Sequence, residues 1–295
     1  MTDSTASLRH QIGIARDLQS VVRTMRALAA SSINQYEQSV LALQDYSRTV
    51  SIGLGACLRE AGIAVDTSLP LTTAAATTVG VIVFGSDQGL VGRFNEVIVE
   101  YAVDQLTELP PLRQIWAVGE RVQARLIDAG LSVTGHYPVP SSVDAIASLV
   151  DQLLIDAESH HGQTTSPHIH IFFNRPVAEA QYEPIGERLL PLDASWRTEM
   201  MGLPWPTANP PEVMGKGTAA LRALIREHLF ISLFRACAAS LASENASRLA
   251  AMQRADKNID ELLTNLHGKF HSLRQSSIDG ELFDVTAGYR KLSDR

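Results

Sequence analysis

Apolar residues recur with a seven-residue period along the first part of the chain. Every seventh residue from Leu8 is apolar, and this set consists of Leu8, Ala15, Val22, Ala29, Tyr36, Leu43 and Val50. A second set alternates with it, namely Ile12, Leu18, Met25, Ile33, Val40 and Tyr46. Such spacings place side chains on one stripe of a helix, and a strict seven-residue period favours supercoiling against another helix. The pattern predicts one long helix over residues 7–58.

The end of the chain carries a matching stripe. Its members are Leu241, Asn245, Leu249, Met252, Ala255, Ile259, Leu262, Leu266, Phe270 and Leu273, which predict a helix from about residue 212 to about residue 282. Neither helix could be stable alone with a wet apolar stripe, so we predict that the two pair as an antiparallel coiled coil. An ordinary helical bundle is the alternative, but both lengths far exceed the usual ~11–12 residues of a globular helix.

Between these segments the chain alternates strand and helix signals. Residues 78–84 form a continuous apolar run typical of a strand buried on both faces. Further strands are predicted at 113–118, 131–133 and 168–173, with helices at 95–106, 120–129 and 143–158. The order predicts a Rossmann-like α/β domain with a mostly parallel sheet. The predicted organisation is a coiled-coil shaft over 1–60 and 212–295, an α/β domain over 75–200 and a proline-rich linker over 201–211.

Composition narrows the classes of function. Hydrophobic residues make up 45% and charged residues 19% of the 295 residues, so a sizeable core is expected. The net charge of -7 argues against a nucleic-acid binder dominated by phosphate contacts. No stretch approaches the roughly 20 apolar residues of a membrane span, so membrane contact is expected only through partners.

The middle domain offers weak candidates for chemistry. Residues 85–92 follow a strand and open a helix, as phosphate-binding loops do, but their glycine spacing fits no nucleotide motif. We expect a tight turn in which Ser86 or Asp87 caps exposed amides. His168 and His170 lie on one face of a strand, near His160 and His161, without further ligands at a familiar metal spacing. No cofactor, metal site or catalytic residue is predicted.

Arg23 and Arg26 lie one helical turn apart beside the apolar stripe. Such a pair is usually part of a solvated face, but it could also contact acidic groups on a surrounding protein. Small residues follow at positions 27 and 29–32, and they would make a slim surface that another protein could enclose. Periodicity does not choose between these interpretations.

Four segments resemble one family. Residues 22–30, Val-Arg-Thr-Met-Arg-Ala-Leu-Ala-Ala, resemble the N-terminal signature of the gamma chain of F-type ATP synthases. Residues 239–252 look like the C-terminal helix of that family nearly position for position. Residues 274–278 resemble its Arg-Gln-Ala-x-Ile run, and residues 86–95 are similar to its Ser-Asp-Arg-Gly-Leu-Cys-Gly-Gly-Leu-Asn loop.

The resemblance implies a rotor subunit without catalytic residues of its own. Its helix pair would thread a ring of alpha and beta chains and couple proton or sodium flow to ATP synthesis or hydrolysis. Its α/β domain would lie near the epsilon chain and the membrane c-ring, on the cytoplasmic face of a bacterial inner membrane. Matching positions place Met25 and Arg26 near the moving lever of the beta chains. The implied partner interface consists of Arg23, Met25, Arg26, Ala29, Ala30, Arg274, Gln275 and Glu281.

The chain also departs from that family. A basic stretch usually follows position 30, whereas this chain has Ser-Ser-Ile-Asn, and Asp279-Gly280-Glu281 replaces Thr-Gln-Glu. The departures indicate a divergent branch. Two alternatives stay open: a coiled-coil adaptor outside an ATP synthase, and an α/β enzyme with helical arms. The enzyme predicts a ligand-sized pocket at the strand ends near Asp87, where the rotor predicts no such pocket with converging titratable groups.

Overall fold

The computed structural model describes residues 4–60, 79–160, 168–177, 181–209, 211–213 and 217–293. Its elements in chain order are α1 (Thr5–Ala42), α2 (Gln44–Glu60), β1 (Val79–Phe84), α3 (Phe94–Leu106), β2 (Arg113–Val118), α4 (Glu120–Asp128), β3 (Val133–Tyr137), α5 (Val143–His160), β4 (His168–Val177), β5 (Gln181–Leu190), α6 (Ala194–Gly202) and α7 (Gly217–Ser293). Contacts divide the chain into two units, residues 4–29 with 249–293 and residues 30–248.

The first unit is a helix pair formed by α1 up to residue 29 and α7 from residue 249. Its apolar seam consists of Leu8, Ile12, Ala15, Val22, Met252, Ile259 and Leu266. Early residues of α1 meet late residues of α7: the guanidinium of Arg9 lies 5.7 Å from the ring centre of Phe270, and that of Arg23 bonds Asp256. The two helices are therefore antiparallel, as the stripes predicted.

The predicted seam needs correction in detail. Leu18 is 51% and Leu262 is 48% exposed, so neither lies in the seam of the first unit. Gln19, the next residue after Leu18, is buried instead. Leu273 is exposed as well. In the second unit Tyr46 is exposed, and its hydroxyl donates a hydrogen bond to Glu227.

The second unit is built on a five-stranded sheet with the order β3-β2-β1-β4-β5. Strands β1 to β4 are parallel and β5 is antiparallel to β4, which confirms the Rossmann-like, mostly parallel sheet. Every residue of the central strand β1 is buried. On one face Val79, Val81 and Val83 pack with residues of α3 and α4. On the other, Ile82 and Phe84 join α5 and part of α7.

Two elements of the second unit were not predicted. They are the strand β5 and the short helix α6. The long N-terminal helix is also interrupted once: α1 ends at Ala42, and the amide of Leu43 bonds the carbonyl of Val40 in a tighter turn before α2 begins. Helix α2 then packs closely on α6. Glycine at position 55 permits this contact, since a Cβ there would lie 2.3 Å from the carbonyl oxygen of Met200.

Candidate partner interface

A polar cluster interrupts the apolar seam of the helix pair. The carboxylate of Asp256 accepts a hydrogen bond from Gln19 Nε2 at 3.2 Å and from Arg23 Nε at 3.1 Å, both at Oδ1. Its Oδ2 accepts from Arg26 Nη1 at 2.8 Å. Burial acts to raise the pKa of Asp256, but the bonds and charges of these partners outweigh it and lower that pKa. Asp256 is therefore a charged group within the seam, with partners on both oxygens.

The remaining surface of α1 in the helix pair has two chemically different flanks. One flank carries a stripe of exposed apolar residues at helical spacing, Ile14, Leu18, Val21 and Leu28, which are between 51% and 63% exposed. The other carries Arg16, Arg23 and the small residue Ala27, which are also exposed. Successive residues of a helix are rotated by 100°, so these two sets of side chains lie on different sides of α1. The surface that α1 leaves uncovered in this unit is thus asymmetric.

The end of α7 has an uncovered surface of its own. Residues 271–286 are all exposed. Their large apolar members are Leu273 (36% exposed), Ile278 (54%), Leu282 (62%), Phe283 (73%) and Val285 (70%). Exposed apolar residues in such number are typical of a surface that a partner covers.

The loop after β1 forms the tight turn predicted for it. Asp87 Oδ1 accepts the amide of Glu120, at the start of α4, at 2.9 Å, and Oδ2 accepts the amide of Val139, beyond β3, also at 2.9 Å. Asn95 Oδ1 accepts the amide of Ser86. Asp87 therefore does cap exposed amides, but they lie at the start of α4 and beyond the end of β3 rather than in α3, the helix that the loop opens.

Helix α7 fills the crevice at the carboxyl ends of β1 and β4, where open α/β sheets usually bind ligands. Ser243 Oγ donates to the carbonyl of Asn174, near the end of β4, at 3.0 Å. Ser247 Oγ donates to the carbonyl of Val91, in the loop after β1, at 2.5 Å. Both serines are buried. The nucleotide position of a dinucleotide-binding fold is therefore occupied by the chain's own helix.

A sequence model of the ATP synthase family matches residues 4–292. The chain belongs to this family. Two similar proteins are ATP synthase gamma chains: that of Anaeromyxobacter dehalogenans is 24% identical over 98% of this chain and 99% of its own length. That of Clavibacter sepedonicus is 28% identical over 94% of each. The resemblance drawn from the residues is confirmed.

Solved structures of ATP synthases share the fold. A chain of the mitochondrial ATP synthase of Euglena gracilis, in an assembly described as OSCP/F1/c-ring, gives a TM-score of 0.59 at 15% identity, covering 98% of this chain and 94% of that one. A chain of the central stalk and c-ring of Tetrahymena thermophila gives 0.56 at 16% identity, covering 80% of this chain and 99% of that one. These likenesses extend the family assignment to the three-dimensional fold.

The N-terminal interface residues predicted for this ATP synthase family member differ in accessibility. Arg23 and Arg26 are on the surface but bound to Asp256, so they are neither simply solvated nor free. Met25 is half-buried against the seam. Ala29 is 2% exposed, which leaves its methyl group in the interior, while Ala30 is exposed. The C-terminal members Arg274, Gln275 and Glu281 all lie on the exposed end of α7.

A small polar cavity lies near Asp87 in the second unit. It encloses about 210 Å³ and is lined by Asp87, Tyr36, Glu244 and Arg248 among others. Burial raises the pKa of Glu244 although Arg248, bonded to it at 2.6 Å, acts in the opposite direction. Titratable groups thus converge here, but in a cavity smaller than the ligand-sized pocket that the enzyme alternative predicts. The volume is below the ~300 Å³ at which ligand pockets usually begin.

The histidines do not form a described metal site. His168 and His170 are both half-buried on β4, and burial lowers the pKa of each, as does the charge of Arg188. Among the described residues no group of three metal-ligating side chains converges. His161 and the side chain of His160 lie outside the described residues. None of the helices within the described ranges has the length and apolar character that a membrane span requires.

Proposed function

We propose that this chain is the central rotor subunit of an F-type ATP synthase or ATPase. The helix pair lies inside a ring of alpha and beta chains, and the α/β domain lies at the foot, against the epsilon chain and the membrane c-ring. The observation that carries the proposal is the antiparallel pairing of α1 with α7 in a chain that matches this family from residue 4 to residue 292.

The asymmetric surface of α1 supplies a physical mechanism. A partner that meets the apolar flank with Ile14 and Leu28 gains apolar burial, whereas one that meets the flank with Arg23 gains charge-assisted hydrogen bonds. Each orientation of the rotor therefore favours a different conformation of each surrounding chain. Differential contacts of this kind shift populations, and rotation couples proton or sodium flow to ATP synthesis or hydrolysis.

The contacts with the ring involve two regions. Near the polar cluster they involve Arg23, Met25, Arg26 and Ala30, with the buried Ala29 keeping the helix slim. At the end of α7 they involve Arg274, Gln275 and Glu281 beside the exposed apolar residues, where the ring would remove apolar surface from water. The C-terminal segment then acts as the upper bearing of the shaft.

The chain itself is non-catalytic in this proposal, and ATP is turned over in the beta chains. Asp87 supports a structural role for the α/β domain, because both its carboxylate oxygens accept backbone amides. We place the chain on the cytoplasmic face of a bacterial inner membrane as a peripheral subunit held by its partners. The shaft over 1–60 and 212–295, the α/β domain over 75–200 and the linker over 201–211 remain our proposed functional division.

Co-purification tests the proposal against its main alternative. An affinity-tagged chain expressed in its own host should recover alpha and beta chains, with three of each per copy of this chain, together with ring subunits. A coiled-coil adaptor outside an ATP synthase would recover neither catalytic chain. Recovery of the chain alone, with turnover of a small substrate lost on replacing Glu244 by Gln, would favour an enzyme.

A further inference from the structure

One carboxylate holds two arginines of α1 in place. Asp256 is almost covered, with 11% of its side chain exposed, and it binds Arg23 Nε at 3.1 Å and Arg26 Nη1 at 2.8 Å. The amide of Gln19 completes the arrangement by bonding both Asp256 and Asp260. Asp256 thus holds one nitrogen of each guanidinium from the side of the seam.

The outer parts of both guanidinium groups face water. The side chain of Arg23 is 53% exposed and that of Arg26 is 43% exposed. Each guanidinium has five N–H donors, so those not directed at Asp256 remain for an acceptor outside the helix pair. Asp260 lies 3.7 Å from Arg23 Nη2 and is 60% exposed, so it is only a loose partner. The surface here therefore consists of two adjacent, partly exposed guanidinium groups that cover the nearly buried carboxylate of Asp256.

We infer that Asp256 is a positioning residue that presents Arg23 and Arg26 together as a docking site for an acidic segment of the chains surrounding the rotor. The inference rests on the proposed function, which already places Arg23 and Arg26 against the surrounding chains, and it adds the residue that prepares these two arginines for that contact. Carboxylates fit because planar guanidinium groups bind them through two parallel hydrogen bonds. An apolar segment would leave these donors without acceptors.

Positioning matters because a free arginine loses much side-chain freedom when it binds. Fixing such a side chain costs conformational entropy, and Asp256 has already restrained both arginines before the partner arrives. Removing the negative charge of Asp256 has two opposed effects on an acidic partner. It makes the surface more positive, which favours binding, but it releases the arginines, which disfavours binding.

These opposed effects allow a sharp binding test. Full-length chain would be titrated with a fluorescent hexaglutamate peptide at low salt, comparing Asp256→Asn with the matched control Asp260→Asn one helical turn away. Positioning predicts that Asp256→Asn weakens binding about two- to fivefold, within the range of exposed ion pairs. Asp260→Asn should bind equally well or more tightly. Tighter binding by both variants would overturn the inference, because charge alone would explain it.

The assembled complex separates this inference from the proposed function. Ions pumped per ATP hydrolysed should fall for Asp256→Asn in complexes that still hold alpha and beta chains, remain normal for Asp260→Asn and recover in Asp256→Glu, which restores the carboxylate. A complex that assembles with alpha and beta chains but couples normally in Asp256→Asn overturns the positioning role alone. Failure of the unaltered chain to join those chains overturns the proposed function.

Discussion

Ile259 provides the most direct test of the packing in the helix pair. It is 7% exposed and lies in the seam with Met252 and Leu266. Replacing it with Ala removes three buried carbon atoms and leaves a cavity between two helices, which costs about 2–4 kcal/mol. The matched control is Leu262→Ala, on the same helix, where 48% of the side chain is already exposed. That change should cost less than about 1 kcal/mol.

Hydrogen exchange resolved along the chain is the appropriate assay, because it reports the opening of each segment separately. Ile259→Ala should reduce protection of the α1 amides before residue 29 by about 30- to 700-fold, since each 1.4 kcal/mol corresponds to a factor of ten. Leu262→Ala should change it by less than about fivefold. A loss at Leu262 equal to or greater than that at Ile259 would refute the seam seen in the structure and restore the one predicted from periodicity.

Three further predictions concern the second unit. Ser247→Ala should destabilise the chain by about 1 kcal/mol in urea unfolding, whereas Ser240→Ala on the same helix, whose hydroxyl has no partner among the described residues, should be neutral or slightly stabilising. Asp87→Ala removes two hydrogen bonds that backbone amides donate to the carboxylate. It should lower the urea unfolding midpoint more than Asp87→Asn, which keeps one acceptor oxygen. Burial, helped by Arg235, lowers the pKa of His228 from 6.5 in the folded protein, so its contribution to stability is fully present above pH 6.5 and is lost as the pH falls from there through the lower pKa of the folded state. Urea midpoints measured from about pH 7.5 to pH 5.5 should decline less steeply in His228→Asn, and an identical slope would contradict the assignment.

Much of the helix pair could be predicted because its main seam follows a simple period. The members of the seven-residue series that lie in the helix pair, Leu8, Ala15, Val22 and Ala29, are all buried. The members in the second unit follow the same pattern, with Tyr36 and Val50 buried and Leu43 half-buried. The second series failed at Leu18 because the seam turns to Gln19, whose amide bonds Asp256 and Asp260 more than 230 positions away. A periodic pattern identifies a seam by its apolar residues alone. It therefore could not predict a buried side-chain amide whose hydrogen-bond partners lie on another helix.

The sheet shows a similar limit. The strands β1, β2 and β4 are apolar runs and were predicted within a few residues. Strand β5 contains Pro184 and Gly186 and has no continuous apolar stretch. Proline is tolerated because β5 is an edge strand, and Gly186 is required because a Cβ there would lie 2.8 Å from the ring of Phe172. Both features depend on the neighbouring strand, which local sequence does not reveal.

The candidate interface, too, was predicted only in part. The resemblance identified Arg23 and Arg26, and the end of α7, as surface that a partner could contact. It did not identify Asp256, because one acidic residue in a helix with many charges carries no distinguishing pattern. The occupation of the sheet crevice by Ser243 and Ser247 was also hidden, since small residues in α7 were compatible with any close helix packing.

Rotation within the assembled complex tests the central claim most directly. The ring of alpha and beta chains would be fixed to a surface, and a visible rod would be attached through a cysteine introduced at the exposed position 107; the native Cys57 and Cys237 are both buried. On addition of ATP the rod should turn in one direction with three pauses per revolution, one for each catalytic chain. Steady ATP hydrolysis by the same complexes with the rod stationary would contradict a rotor.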